Sequence, residues 1–202
     1  MKKIEILKRF LITKKQERLI QEYLVRLTEH NKQTNLVGKS TLTDPWKSHV
    51  LDSLQILAFI KKKNLSIIDL GTGAGLPGVP LSLVDFKNVT LVDSNGKKIN
   101  FLRILKKEMD LGFKIILKRI ENINNKKFDV VTSRALANLN KLLTYSQKFI
   151  KKNTVLIFLK GKTVNEEIEE AKKNWNFKHE IKQSLSDSRG CVLIIKEIKR
   201  KK

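Results

Sequence analysis

Cysteine is almost missing from this chain. The single thiol, Cys191, leaves no internal disulfide possible and fits a reducing compartment, the cytoplasm. Proline is as scarce: Pro45, Pro77 and Pro80 only. Aromatic residues are 6% of the chain, so base-stacking platforms are few, and Phe10, Trp46 and Phe86 read as core. No apolar run approaches the roughly 18–20 residues that span a bilayer. The opening MKKIEILKRFLI carries Glu5, Lys8 and Arg9 inside its apolar part, a poor signal peptide. One cysteine and three scattered histidines give no metal-ligand spacing, so no metal is expected. The most informative shortage is of acids. Against 42 Lys and Arg stand 20 Asp and Glu, a net charge of +22. Such a surface favours a polyanion partner, nucleic acid first and a membrane face second. AT-rich coding explains 34 Lys against 8 Arg; it explains the missing acids less well.

The composition otherwise suits one globular chain: 202 residues, 41% hydrophobic, with no internal repeat. Residues 1–63 read as helices. Leu19, Ile20, Tyr23, Leu24 and Leu27 recur at helical spacing, and Asp44-Pro45 reads as a cap and first turn for WKSHVLDSLQILAFI. From residue 64 to 198 the pattern alternates. Strands are expected at 65–70, 89–93, 113–118, 128–133, 154–160 and 191–198. Helices are expected at 76–84, 96–110, 137–150 and 165–175. Strands alternating with helices predict a mostly parallel sheet covered on both faces. A basic tail, 199–202, ends the chain.

The stretch DLGTGAGLPG, Asp69 to Gly78, follows the first strand. Ligands of open α/β sheets bind at the carboxyl ends of the strands. Gly71, Gly73 and Gly75 let the backbone turn and approach a ligand closely. The next strand ends in Asp93, 22 residues beyond Gly71, where an acid accepts both ribose hydroxyls. Gly73 to Gly78 matches the dinucleotide pattern G-x-G-x-x-G, so an NAD(P)-dependent oxidoreductase is one reading. Pro77 and Pro80 argue against it, because they restrict the helix that would hold a pyrophosphate. The form D-x-G-x-G-x-G, with Asp69 two residues ahead, is the S-adenosylmethionine loop of class I methyltransferases.

The combination is more specific still. IIDLGTGAGLPGVPLSLV, then LVDSNGKKINFLRIL and VVTSRALANLNKLL, resemble the RsmG (GidB) family of bacterial methyltransferases. The upstream HNKQTNLVGKSTLTDPWKSHVLDS and the late FLKGKTVNEEIEEAKK are similar to it as well, so the likeness covers about residues 20–197. The family's usual mid-loop proline is Ala74 here. The resemblance implies a Rossmann-like class I fold with a seven-stranded sheet and an N-terminal helical extension. It implies an enzyme with S-adenosylmethionine as methyl donor. The product would be 7-methylguanosine in the helix 18 loop of 16S rRNA, within the small subunit or an assembly intermediate. A cytoplasmic monomer is expected.

Residue by residue, the resemblance has Gly71 and Leu76 line the cofactor and Ile120-Glu121 meet its adenine. Asp93, with Ser94 beside it, takes the ribose; Asp69 bonds loop amides or sits near the methionine amine. Arg134, after the fourth strand, holds the methionine carboxylate or positions the RNA. Lys97, Lys98, Lys160 and Arg189 are candidate RNA contacts, and Arg103 reads as solvated. His49 and Asp52 share a helix face. They form a pair that fastens the N-terminal helices over the cofactor pocket, or they contact RNA. SRALAN stands where amine methyltransferases carry an Asn/Asp-Pro-Pro-aromatic element, and Cys191 is misplaced for attack on a pyrimidine carbon. An acceptor with its own lone pair, such as guanine N7, needs no base. A non-catalytic ribosome-assembly factor remains the other reading.

Overall fold

The computed structural model describes residues 1–201. Two helices open the chain, α1 (Lys3–Arg9) and α2 (Lys14–Asn31). Thr13 starts α2 by a reciprocal cap: its Oγ1 accepts from Gln16 N at 3.2 Å, and Gln16 Oε1 accepts from Thr13 N at 2.9 Å. The helical run 46–59 (α3) passes from a π-helix, Trp46–Leu51, through one α-turn, Asp52–Leu54, to a 3-10 turn, Gln55–Phe59. Asp44 caps it, accepting from Lys47 N at 3.1 Å.

The alternating part follows: β1 (Ile67–Leu70), α4 (Gly78–Leu83), β2 (Val89–Asp93), α5 (Gly96–Glu108), β3 (Lys114–Leu117) and β4 (Phe128–Arg134). Then come α6 (Leu139–Ser146), β5 (Ile150–Lys160), α7 (Val164–Lys172), β6 (Trp175–Gln183) and β7 (Cys191–Arg200). The sheet runs β3-β2-β1-β4-β5-β7-β6. β7 is antiparallel to both of its neighbours; the other pairings are parallel. β1 pairs with β2 on one side and β4 on the other, so the order reverses there. That switch point is where such sheets bind ligands.

Three corrections to the sequence reading belong here. The strand Trp175–Gln183 is missing from the expected elements, and the expected helix 165–175 ends at Lys172. β6 is an edge strand with six exposed residues in a row, Lys178 to Gln183, so it shows no hydrophobic alternation. Charge on an edge strand discourages pairing with other chains. The expected helix 137–150 also stops early, because a 3-10 turn at Gln147–Phe149 leads directly into β5.

Each face of the sheet has its own core. α6 and α7 cover one face, around Phe149, Phe158 and Leu193. The N-terminal helices, α4 and α5 cover the other, and Ile20, Leu27 and Leu54 share one cluster with Ile67, Val79 and Leu102. Among the described residues no helix is long and apolar enough to cross a membrane.

Candidate cofactor and substrate cleft

The loop after β1 is built on glycine conformations. Gly71, Gly73 and Gly75 have φ of +66°, +57° and +93°, where L side chains are strained. Two of them are also crowded. A Cβ on Gly71 would lie 2.5 Å from Leu136 Cδ1, and one on Gly75 2.3 Å from Val79 Cγ2. A Cβ on Gly73 would meet nothing nearer than 3.9 Å, so this glycine keeps an open face toward the cleft.

Asp69 organises the loop from beneath. It has no solvent exposure. Its Oδ2 accepts from Thr72 Oγ1 at 2.5 Å and Gly78 N at 3.1 Å, and its Oδ1 accepts from Thr132 Oγ1 at 3.0 Å. Burial pushes its carboxyl up to about 6 despite these donors. Asp69 therefore holds the loop and does not line the cleft.

Asp93 ends β2 beside the loop. Its Oδ2 accepts from Gly73 N at 2.9 Å and its Oδ1 from Asn95 N at 2.8 Å. Each oxygen keeps a lone pair for a hydroxyl donor. Ser94 is exposed next to it. Ile120 is buried and Glu121 exposed in the 3-10 turn Ile120–Asn122 after β3. The Glu121 carboxyl is held below its usual range, first by its own backbone N–H and then by Tyr145, Arg119 and Lys141. Lys148 fixes this turn, donating to the carbonyls of Ile120, Glu121 and Ile123 at 3.1, 2.7 and 3.0 Å.

The roof comes from the N-terminal helices. Tyr23 of α2, fully buried, donates to the Ala74 carbonyl at 3.0 Å, and burial pushes its phenol well above the usual range. Asn31 Oδ1 accepts from Leu36 N and Val37 N at 2.8 and 2.9 Å, which holds that segment over the loop. The cleft enclosed between roof and loop is about 250 Å³, with Leu36, Gly73, Leu76, Lys98 and Arg134 among its walls.

Arg134 ends β4 on the wall facing the glycine loop. Nη1 donates to Ser48 O at 3.1 Å and Asp52 Oδ2 at 3.0 Å, and Nη2 points at His49 Nδ1 at 3.5 Å. His49 and Asp52 thus meet at Arg134 rather than bonding each other. Thr41 Oγ1 donates to Gly38 O at 2.6 Å, so it accepts from His49 Nε2–H at 3.1 Å. That assignment leaves the Nδ1 lone pair toward Arg134. Burial, then the Arg134 charge, pushes His49 down to about 4, so it is neutral at pH 7. Ala135, next along, has φ +53°, a strained value for alanine at the cleft edge.

The candidate RNA contacts separate. Lys98 lines the cleft mouth; Lys97 is exposed on the same turn of α5. Arg189 is exposed and ion-paired with Asp187 at 3.0 Å. Lys160 does not fit the expectation. Its side chain is 8% exposed, paired with Glu167 at 2.5 Å and donating to Ala137 O at 2.9 Å. Glu167 also accepts from Leu139 N at 2.7 Å, so Lys160 fastens α7 to the start of α6. Tyr23, Thr41, Thr132 and Lys148 were not found from sequence. Tyr23 reads as helix core, and nothing in its spacing distinguishes it.

The family model described as rRNA small subunit methyltransferase G matches residues 16–194. Ribosomal RNA small subunit methyltransferase G of Orientia tsutsugamushi (strain Ikeda) is 40% identical over 176 residues, 87% of this chain and 88% of that protein. The protein of that name from Rhodospirillum rubrum is 37% identical over 181 residues, 90% of each chain. Among solved structures, M. jannaschii TYW2 in complex with AdoMet superposes with a TM-score of 0.56 at 18% identity, over 73% of this chain and 74% of that one. That likeness shows the fold, a Rossmann-like class I methyltransferase sheet. With the glycine loop and Arg134 lining one cleft, Asp93 bonded to that loop, and matches along most of its length, the chain belongs to the rRNA small subunit methyltransferase G (GidB) family.

Proposed function

We propose that this chain transfers a methyl group from S-adenosylmethionine to N7 of a guanosine in the helix 18 loop of 16S rRNA. A methyltransferase of this family takes S-adenosylmethionine as its donor, and the residues present suit it. Gly73 leaves open space against the loop, Asp93 offers two oxygens to a ribose, and Ile120 offers an apolar contact for adenine. Leu76 closes the floor, and Arg134 suits the methionine carboxylate. When bound, the group supplies a methyl on a sulfonium, which any correctly aligned lone pair attacks.

The observation that carries the acceptor is the absence of a free base among the described residues lining the cleft. His49 has one nitrogen donating to Thr41 and the other turned to Arg134. Asp69 is enclosed by its three donors. Cys191 is buried in β7, and burial pushes its thiol up, so it is a poor nucleophile. A site like this suits an acceptor that is nucleophilic at neutral pH, and guanine N7 is one. What the chain does is align the two reactants and exclude water. Lys98 at the cleft mouth, Lys97 beside it and Arg189 on the neighbouring β6–β7 loop are proposed to take RNA phosphates, an expectation the charge of +22 supports.

The test is methyl transfer. Labelled S-adenosylmethionine, the protein, and small subunits or naked 16S rRNA lacking the modification are combined, and the labelled base is mapped. Label as 7-methylguanosine in helix 18 is expected, and an Asp93→Ala variant should lose turnover. Label at another base would overturn the acceptor.

A further inference from the structure

A second cleft lies beside the first, with a volume of about 500 Å³. Ser48 and Asp52 of α3 form one wall, and the β6–β7 loop, Ser186 to Arg189, forms the other. The Asp52 carboxylate lies between the two clefts. Its Oδ2 accepts from Arg134 on the cofactor side, and its Oδ1 accepts from Ser186 Oγ at 2.6 Å. Gln55 ties the same loop down: its Oε1 accepts from Leu185 N at 2.8 Å and its Nε2 donates to Ser184 Oγ at 3.2 Å. The loop is therefore fixed to the wall that positions Arg134.

The lining suits a sugar–phosphate. Hydroxyls come from Ser40, Thr43, Ser48 and Ser188, and cations from Lys47 and Arg189. The carboxylates are already engaged. Asp52 holds Arg134 and Ser186, Asp44 Oδ1 accepts from Lys47 N, and Asp187 holds Arg189. The Arg189–Asp187 pair is 80% and 49% exposed, so it is weak and a phosphate oxygen can displace it. A chain of charge +22 has a polyanion to receive, and here two exposed cations stand one side chain away from the cofactor cleft.

We infer that this second cleft seats the ribonucleotide next to the target base, with its two flanking phosphates on Lys47 and Arg189 and its ribose against the hydroxyl-lined wall. The inference rests on the RNA reading given above. Each single-stranded phosphate contact contributes about 0.7 to the slope of log affinity against log salt. At 0.15 M salt two contacts correspond to about a tenfold effect on that scaling.

The experiment measures KM for rRNA against salt, and separately the Kd for S-adenosylmethionine, in Lys47→Ala, Arg189→Ala and the double variant. A Lys61→Ala/Lys62→Ala double is the control, removing equal charge from exposed positions ahead of β1. Each single variant should lower the slope by about 0.7 and the double by about 1.4. The double should raise KM about tenfold at 0.15 M salt, with cofactor Kd unchanged within about twofold. A double variant that behaves like the Lys61/Lys62 control overturns the inference. So does one that loses cofactor affinity while KM for RNA holds. If the unaltered protein methylates no rRNA at all, the RNA reading fails and this inference falls with it. If it methylates rRNA and the double variant matches the control, only the second cleft is wrong.

Discussion

Burial holds the Asp69 carboxyl above the ordinary carboxylate range, and the consequence for stability can be measured. It lies under the glycine loop with no exposure and accepts three hydrogen bonds. Burial raises its pKa from 3.8 to about 6. The folded protein therefore holds a proton on Asp69 at pH values where the unfolded chain has lost it. The sign follows from linkage: a raised carboxylate pKa favours folding at low pH, and that contribution disappears as pH rises from about 4 through about 6. The interval from 3.8 to about 6, at about 1.4 kcal/mol per pH unit, amounts to about 3 kcal/mol. Asp69→Asn keeps the shape and removes the titration. Urea unfolding of both proteins from pH 4 to 7.5 gives the difference in stability at each pH. The original should lose about 2.4 kcal/mol relative to Asp69→Asn between those limits, part of the full interval being already passed at pH 4. Asp129, held down to about 2 by Lys151 and Ser66, acts only below this window and is common to both. A difference that stays flat from pH 4 to 7 would refute the reasoning, since it would mean Asp69 is ionised in the fold at little expense.

Three further outcomes follow from the same geometry. Gly75→Ala should cost about 3 kcal/mol, from the φ of +93° and a Cβ placed 2.3 Å from Val79; Gly73→Ala, with open space, should cost about 1 kcal/mol, and equal urea midpoints would contradict the difference. Tyr23→Phe leaves the Ala74 carbonyl unpaired in a buried site, so stability should fall by about 1–2 kcal/mol and titration calorimetry should show weaker cofactor binding. Lys160→Met leaves Glu167 without its cation and should destabilise by about 3 kcal/mol, while KM for RNA is unchanged at a temperature where the variant is folded; a raised KM would restore Lys160 as an RNA contact.

The parts of the fold set by local pattern could be read in the sequence. The glycine loop, Asp93 and the strands around them have apolar runs and turn residues that specify them within a few positions. β6 could not be read, because an edge strand facing water needs no apolar alternation. Arg134 stood out by its chemistry in a lysine-rich chain. Its anchoring could not be seen, because Ser48, His49 and Asp52 lie more than eighty residues earlier. Lys160 shows the opposite failure: a basic residue at a strand end reads as a phosphate contact until Glu167 is found against it. Side-chain pairings across the fold are settled by tertiary approach, and spacing along the chain carries no record of them.

The wall that fixes Arg134 joins both ends of the polypeptide. Asp52 reaches Ser186 across 134 positions, and Gln55 reaches Leu185 across 130. A chain still being synthesised has Ser48, His49 and Asp52 before its glycine loop, and gains the β6–β7 loop that ties them down only near its end. The brace on that wall thus arrives last in the order of synthesis, after the cofactor loop. Any product cut short before residue 184 would keep the motif and the residues that hold Arg134, and lack the loop bonded to Asp52 and Gln55.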